Sequence, residues 1–349
     1  PRGTKFLLIG TKIKNIDKRI LPFFLIEIGE RAGWYIILSC IILYLTKQLG
    51  YNEIAANSIY GTFTMFSYML PFLGGYIADK KLGSSLSVGI GIFLLAIGYT
   101  LLSHGSFLYL SLGIVAIGNL FYKSNMVTLL NNQFSKKGTE RDNAFNWYYA
   151  AVNIGGLIAP IITGYLRPRY GFEFVFIIAG IALALSMIGY LFNKKYFIDK
   201  PKEKETKKAE AQHSLAATII LCITSLLFWS VFHLNNGYMT LYAEKKVGHI
   251  LSPEYLQTIN PLCIFLFTFI YVHLHKKYNF NFLKRFKLGL ILCAISFVPL
   301  IVFVSSPLFS ISSMYIIISA AELIISPGLL NFVSDLSPEK RKSMMVGFY

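Results

Sequence analysis

Charge is scarce in this 349-residue chain: Asp, Glu, Lys and Arg together make up 14%, against about a quarter in a soluble globular protein. Acids are scarcer still, 17 against 33 Lys and Arg, which leaves a formal net charge of +16. Cysteine is rare as well. Cys40, Cys222, Cys263 and Cys293 fall in apolar stretches at unrelated spacings, which excludes a disulfide framework or a metal pattern and reads as packing. His273 and His275 form a close pair at the end of an apolar stretch but lack further ligands, so no metal is expected. No phosphate-binding glycine loop sits beside a lysine and serine, and no nucleophile has a histidine partner, so neither a nucleotide-driven pump nor an enzyme is expected, and no cofactor.

What is abundant is hydrophobic sequence, at 55% of residues with a mean hydropathy of +0.56. A helix needs roughly 20 mostly apolar residues to cross a hydrocarbon core. Such stretches predict ten complete spans, centred near Tyr35, Met69, Phe93, Val115, Ile154, Ala182, Leu226, Phe265, Ala294 and Ile318, with an eleventh opening at Met344. The fold class is therefore an all-α membrane protein. No cleavable signal peptide is visible, because the first apolar stretch is long and follows a basic segment. The chain opens on Pro1 and stops at Tyr349 inside an apolar run, as expected of a C-terminally truncated fragment.

The positive charge has a topological explanation. Sorted by expected loop, nearly all Lys and Arg fall before the first span or after the even-numbered ones, whereas the opposite side holds only Lys47, Arg167, Arg169, Lys245 and Lys246. Such asymmetry places the N-terminus in the cytoplasm and removes the case for a nucleic-acid partner. The longest polar interruption runs from Lys194 to His213 and is too charged to enter lipid. It predicts a first six-helix half over 1–195, a charged cytoplasmic linker over 196–213 and an incomplete second half over 214–349. Two six-helix halves joined in this way are the pattern of the major facilitator fold, whose binding site lies near mid-membrane between the halves.

Ionisable residues inside spans cost about 2.5 to 3.5 kcal/mol each at the bilayer centre, so they are functional candidates by default. Five stand out: Glu27, Glu30, Arg31, Lys123 and Glu322. Glu27, Glu30 and Arg31 are spaced i, i+3 and i+4, with Tyr35 one turn further on, so one helix face carries two carboxylates, a guanidinium and a phenol. That face must look at water, substrate or other charges; a structural ion-pair knot is the alternative use. Lys123 is an expected partner for a first-helix carboxylate. Glu322 stands apart in the second half with Ser319 and Ser326 on its face, which suits a proton carrier.

Here the residues resemble a known family. Glu27-Ile-Gly-Glu30-Arg31-Ala-Gly-Trp34-Tyr35 resembles the ExxERFxYY signature of the proton-dependent oligopeptide transporters. Gly74-Gly75-Tyr-Ile-Ala-Asp79-Lys-Lys-Leu-Gly83 is similar to the loop motif after the second helix in the wider superfamily. Gly118 to Asn125, Phe145 to Pro160, Phe228-Trp229, Gln257 to Pro261 and Glu322 to Pro327 resemble the family's fourth, fifth, seventh, eighth and tenth helices. There are departures. Ala32 stands for the signature phenylalanine, Ser124 for a proline, and His233-Leu234 for an acid and a glutamine. Leu38 occupies the place of the arginine that pairs with that acid, so both charged partners are lost together, which avoids stranding either one.

The resemblance implies proton-coupled symport of di- and tripeptides by alternating access across a bacterial inner membrane. It assigns Arg31, Lys123, Tyr35 and Asn153 to the peptide carboxylate, Glu322 and Asn260 to the amine, and Trp229 to the substrate-lining surface. Glu27, Glu30 and Glu322 would carry protons, His233 would stand in for the missing acid, and Gly75, Asp79 and Gly83 would shape a cytoplasmic loop. The expected partners are peptide, protons and the lipid bilayer. The other readings are the same family carrying nitrate or another small solute, for which Glu322 would be superfluous, and a membrane receptor or scaffold whose charges only lock helices.

Overall fold

The structure, a computed structural model, describes residues 17–134, 139–199, 215–278 and 282–336. The charged stretch over 200–213, the basic segment before residue 17 and the helix expected from Met344 lie outside the described residues. The chain divides into two compact units, the first over Pro1–Tyr44 and Leu49–Lys202, the second over Leu45–Gln48 and Glu203–Tyr349.

α1 (Ile20–Leu43) of the first unit runs on into a π-helical turn at Tyr44–Gln48, and α2 (Glu53–Ile77) into another at Ala78–Leu82. Then come α3 (Ser84–Leu101), α4 (Leu108–Gln133) and the long α5 (Thr139–Phe192). Gly171, at φ 81° and ψ 176°, breaks α5 into two limbs, a conformation open to glycine because it lacks a Cβ. The limbs correspond to the fifth and sixth expected spans. Asn52 caps α2 by accepting from the Ala55 amide at 2.8 Å. Where α1 begins, Arg19 donates to the Asp17 carboxylate and also reaches Glu140. The hydrogen bond from Arg19 holds the Asp17 carboxyl below the usual carboxylate range.

α1 is the buried centre of this unit and packs chiefly on α5. Lipid gives helices no hydrophobic drive to associate, so close backbone approach through small residues does that work. A Cβ on Gly74 of α2 would overlap the Leu120 carbonyl oxygen of α4. One on Gly155 of α5 would lie 2.6 Å from Arg31 Cβ and 2.9 Å from the Ala32 nitrogen. The glycine of the fifth-helix motif thus brings α5 against α1 at the charged face itself.

The second unit contains α6 (Leu215–His233), α7 (Tyr238–Val247), α8 (Ile259–Tyr278), α9 (Phe282–Ile295) and α10 (Pro307–Leu336). α10 is its spine: Ile311, Met314, Tyr315 and Ile318 pack on α7, while Ala321 and Ile325 pack with Phe228 of α6 and Cys293 of α9. The seventh expected span is interrupted. His233 ends α6, and residues 234–237 form turns before α7 resumes. His233 therefore occupies a helix end at a break rather than the interior of a continuous helix.

Among the described residues, six helical stretches are long and apolar enough to cross a membrane, and one of them, Asn143–Phe192, contains the bend at Gly171. α2 has the length at 25 residues, but Asn57, Ser58, Thr62, Thr64 and Ser67 make it more polar.

Candidate functional site

The charges on this face of α1 are buried: Glu27 is 2%, Glu30 0% and Arg31 8% exposed. Arg31 clasps Glu30 with Nε and Nη2, the latter 2.7 Å from Oε1. Its Nε also lies 3.3 Å from Glu27 Oε1. The expected i,i+4 pair with Glu27 is therefore the looser contact, and the forked geometry of the guanidinium is spent mainly on Glu30. The second Glu27 oxygen accepts from the Tyr122 hydroxyl at 2.7 Å, and Tyr148 of α5 bonds the same carboxylate. Two carboxylates, one guanidinium and two phenols thus form one network across α1, α4 and α5.

Lys123 departs from expectation. It does not pair with a first-helix carboxylate: its ammonium sits 4.0 Å from the Tyr68 ring centre and 4.9 Å from that of Trp34. The negative ring faces hold the cation, while the Arg31, Glu30 and Glu27 charges act on it from nearby. Two acids and two bases leave the neighbourhood formally neutral. Tyr35 is half-buried, and its ring packs against the space left by Gly156, 3.2 Å from where a Cβ would stand. Asn153 spends its amide nitrogen on the Tyr149 carbonyl at 2.8 Å. Ser124, in place of the family's proline, donates to the Pro71 carbonyl at 2.9 Å and so ties α4 to α2.

The loop motif has a specific anchor. Gly83 adopts φ 77° and supplies no side-chain cap to α3. Asp199 supplies it instead, accepting from the Ser84 amide at 2.7 Å and the Ser85 amide at 3.2 Å. A Cβ on Gly83 would lie 2.6 Å from that carboxylate. Gly75 faces Ser124 of α4, and Asp79 is exposed in the π-helical turn.

In the second unit Glu322 is half-buried, and its Oε2 accepts from Asn260 Nδ2 of α8 at 2.7 Å. The same nitrogen donates to Ser319 Oγ at 3.0 Å. Glu322 and Asn260, expected near a substrate amine, are thus brought together. Trp229 stacks edge-on against Phe228 and Phe232, with ring centres 5.4 Å apart in each pair, and lies 6.3 Å from the His233 ring. His273 is exposed, and the His275 and Cys222 side chains lie outside the described ones.

Sequence reasoning missed the aromatic clasp. Charge and helical spacing single out none of Tyr68, Tyr122 and Tyr148. The available signal was position: Tyr122 adjoins Lys123, and Tyr148 lies inside the fifth-helix motif.

Long apolar helices whose charges are turned inward define a multi-pass membrane protein. Residues 23–349 match the Major Facilitator Superfamily, and the chain belongs to that superfamily. It is 24% identical to a protein named dipeptide and tripeptide permease A from Erwinia pyrifoliae, over 95% of this chain and 83% of the relative. The Escherichia coli protein of the same name is 24% identical over 95% of this chain and 80% of its own length. Among solved structures, a mutant of a peptide transporter POT in complex with sulfate superposes with TM-score 0.86 at 21% identity, covering 97% of this chain and 86% of the other. A POT family transporter in complex with 5-aminolevulinic acid gives 0.83 at 20% identity, covering 97% and 88%. These relatives fall in the branch that the helix motifs resemble.

Proposed function

We propose that this chain belongs to a proton-coupled symporter of di- and tripeptides, working by alternating access in a bacterial cytoplasmic membrane with its N-terminus inside. The observation that carries the reading is the division of charge between the units. Arg31 and Lys123 in the first offer cations to a peptide carboxylate, with Tyr35 and Asn153 beside them. Glu322 with Asn260 in the second offers an anion to the amine. A peptide has these two ends fixed and its side chains variable, so gripping only the ends admits many sequences. The names of the permease relatives support the same cargo.

Proton coupling follows from the charge count around Arg31. The cluster is formally balanced, and a bound peptide carboxylate adds one negative charge. Protonating Glu30 or Glu27 restores the balance and releases part of the guanidinium fork that Glu30 now holds. Substrate and proton therefore favour each other's binding, which is the linkage a symporter needs. Trp229 contributes an aromatic wall, and Gly75, Asp79 and Gly83 form the cytoplasmic loop whose cap is Asp199. Uptake of a labelled dipeptide by proteoliposomes containing the full-length protein, under an imposed pH gradient, tests the reading. Accumulation that collapses with the gradient is expected, and uptake indifferent to it removes proton coupling.

A further inference from the structure

The break between α6 and α7 leaves a polar problem inside the second unit. In a continuous helix the Asn235 carbonyl would accept from the Met239 amide, but that amide bonds the Leu234 carbonyl at 3.0 Å instead. The Asn235 backbone is buried with its residue, which is 4% exposed, and an unmet carbonyl there would be costly. Two side chains meet it. Thr240 Oγ1 donates at 3.0 Å from the first turn of α7, and Tyr315 OH donates at 3.1 Å from α10. Tyr315 is 2% exposed and the phenol has no other work in the site described above.

Tyr315, Ser319 and Glu322 follow one another along a single face of α10, at spacings of four and three residues. Ser319 donates to the Tyr315 carbonyl at 2.6 Å and accepts from Asn260 at 3.0 Å. Asn260 Nδ2 therefore serves Ser319 and Glu322 at once, which uses both of its protons. One helix face thus carries the carboxylate at one end, and at the other the phenol that completes the α6–α7 break.

We propose that Tyr315 is a positioning residue that makes the break at residues 234–237 respond to the state of Glu322. When Glu322 exchanges Asn260 for a substrate amine or takes up a proton, its link to α8 changes and α10 readjusts as a rod. A shift of about half an ångström carries a 3.1 Å contact to the limit of a hydrogen bond. The break then loosens or tightens with the carboxylate, although no side chain spans the distance between them. The inference rests on the transporter reading only for what Glu322 meets in the working cycle; the link itself is a property of the second unit.

Hydrogen exchange over residues 234–241 of the full-length protein, without peptide, tests it. Tyr315→Phe should raise exchange there by about 2- to 10-fold, the range for one lost hydrogen bond. Glu322→Gln should alter exchange in the same segment of the parent, and that alteration should vanish in the Tyr315→Phe background. Thr240→Val is the control: it removes the other donor to the same carbonyl without touching α10, so it should raise exchange yet leave the response to Glu322→Gln intact. Ser319→Ala, which cuts the path at its middle, should weaken the response even if Tyr315→Phe folds poorly. If Glu322→Gln leaves the segment unchanged in the parent, or if its effect persists in Tyr315→Phe, Tyr315 is packing and the link does not exist. Peptide uptake measured in parallel separates the two claims, since a parent that carries no peptide but keeps the exchange pattern overturns the transporter reading alone.

Discussion

The two units handle buried charge in opposite ways. In the first, Glu27, Glu30 and Arg31 compensate one another, two phenols bond the Glu27 carboxylate, and aromatic faces hold Lys123. In the second, Glu322 rests on a neutral amide, with no cation within ion-pair range among the described residues. The contrast separates structural from functional cost. Removing one member of a compensated cluster strands its partner, so such a change damages folding and function together. Removing the charge of Glu322 strands nothing, so its cost falls on whatever Glu322 binds.

Glu322→Gln should therefore give the largest functional loss with the least structural damage. Gradient-driven dipeptide uptake is expected to fall by about 100-fold or more, which corresponds to roughly 3 kcal/mol of lost charge pairing. Membrane insertion and thermal midpoint should stay near those of the parent. Uptake at the parental rate would erase the contrast between the units. Arg31→Lys comes next, with a loss of about 10- to 100-fold, because a point charge cannot hold Glu30 in a fork and reach Glu27 as well. Its thermal midpoint should drop too, unlike that of Glu322→Gln. Lys123→Arg should bind peptide better than Lys123→Ala, since a guanidinium can also stack on Tyr68 and Trp34; the reverse ranking in uptake kinetics would mean that the ring contacts do not hold the cation.

How much of this was legible in the sequence follows the same division. Apolar length and the lopsided Lys and Arg distribution carried the membrane class, and isolated charges in spans pointed to Glu27, Glu30, Arg31, Lys123 and Glu322. These signals are local, one helix at a time. The partner of Lys123 was misjudged because opposite charges are the obvious match, whereas the rings of Tyr68 and Trp34 arrive from α2 and α1 through packing that no spacing records. Asp199 was invisible for a related reason: it caps a helix more than a hundred residues earlier in the chain. The break after His233 falls on Leu234-Asn235-Asn236-Gly237, turn-forming residues whose signal the apolar stretches on either side outweighed.

The close approach of α1 and α5 can be tested without touching a charge. Gly155→Ala would place a methyl 2.6 Å from Arg31 Cβ and 2.9 Å from the Ala32 nitrogen, an overpacking that costs about 1 to 3 kcal/mol. A lower thermal midpoint and weaker uptake should follow together. Gly61→Ala in α2 is the matched control, because nothing lies within 4 Å of the added carbon and alanine favours the helix by about 0.5 to 1 kcal/mol. Equal effects at the two positions would mean that Gly155 does not shape the charged face.

The smallest expected effect belongs to His233, where the chain leaves its family at the end of α6. An acid at this point is negative when deprotonated and needs a cation, such as the first-helix arginine that Leu38 replaces here. A histidine is neutral when deprotonated and cationic only after taking up a proton, so it requires no fixed partner, and replacing the acid along with the arginine strands no charge. Its place immediately before the turns of residues 234–237 matters. A charge appearing there acts on a segment whose amides bond three residues back, with poorer geometry than the regular ladder of a continuous helix. His233→Gln keeps a polar side chain of similar size but removes the titration. Peptide affinity should then change by no more than about 2-fold, whereas the dependence of uptake on external pH between about 5 and 7, the range in which histidine ordinarily changes charge, should flatten. An unaltered pH profile would assign His233 to packing with Trp229 and Phe232, and would leave the carboxylates of the two units as the only proton carriers in the reading.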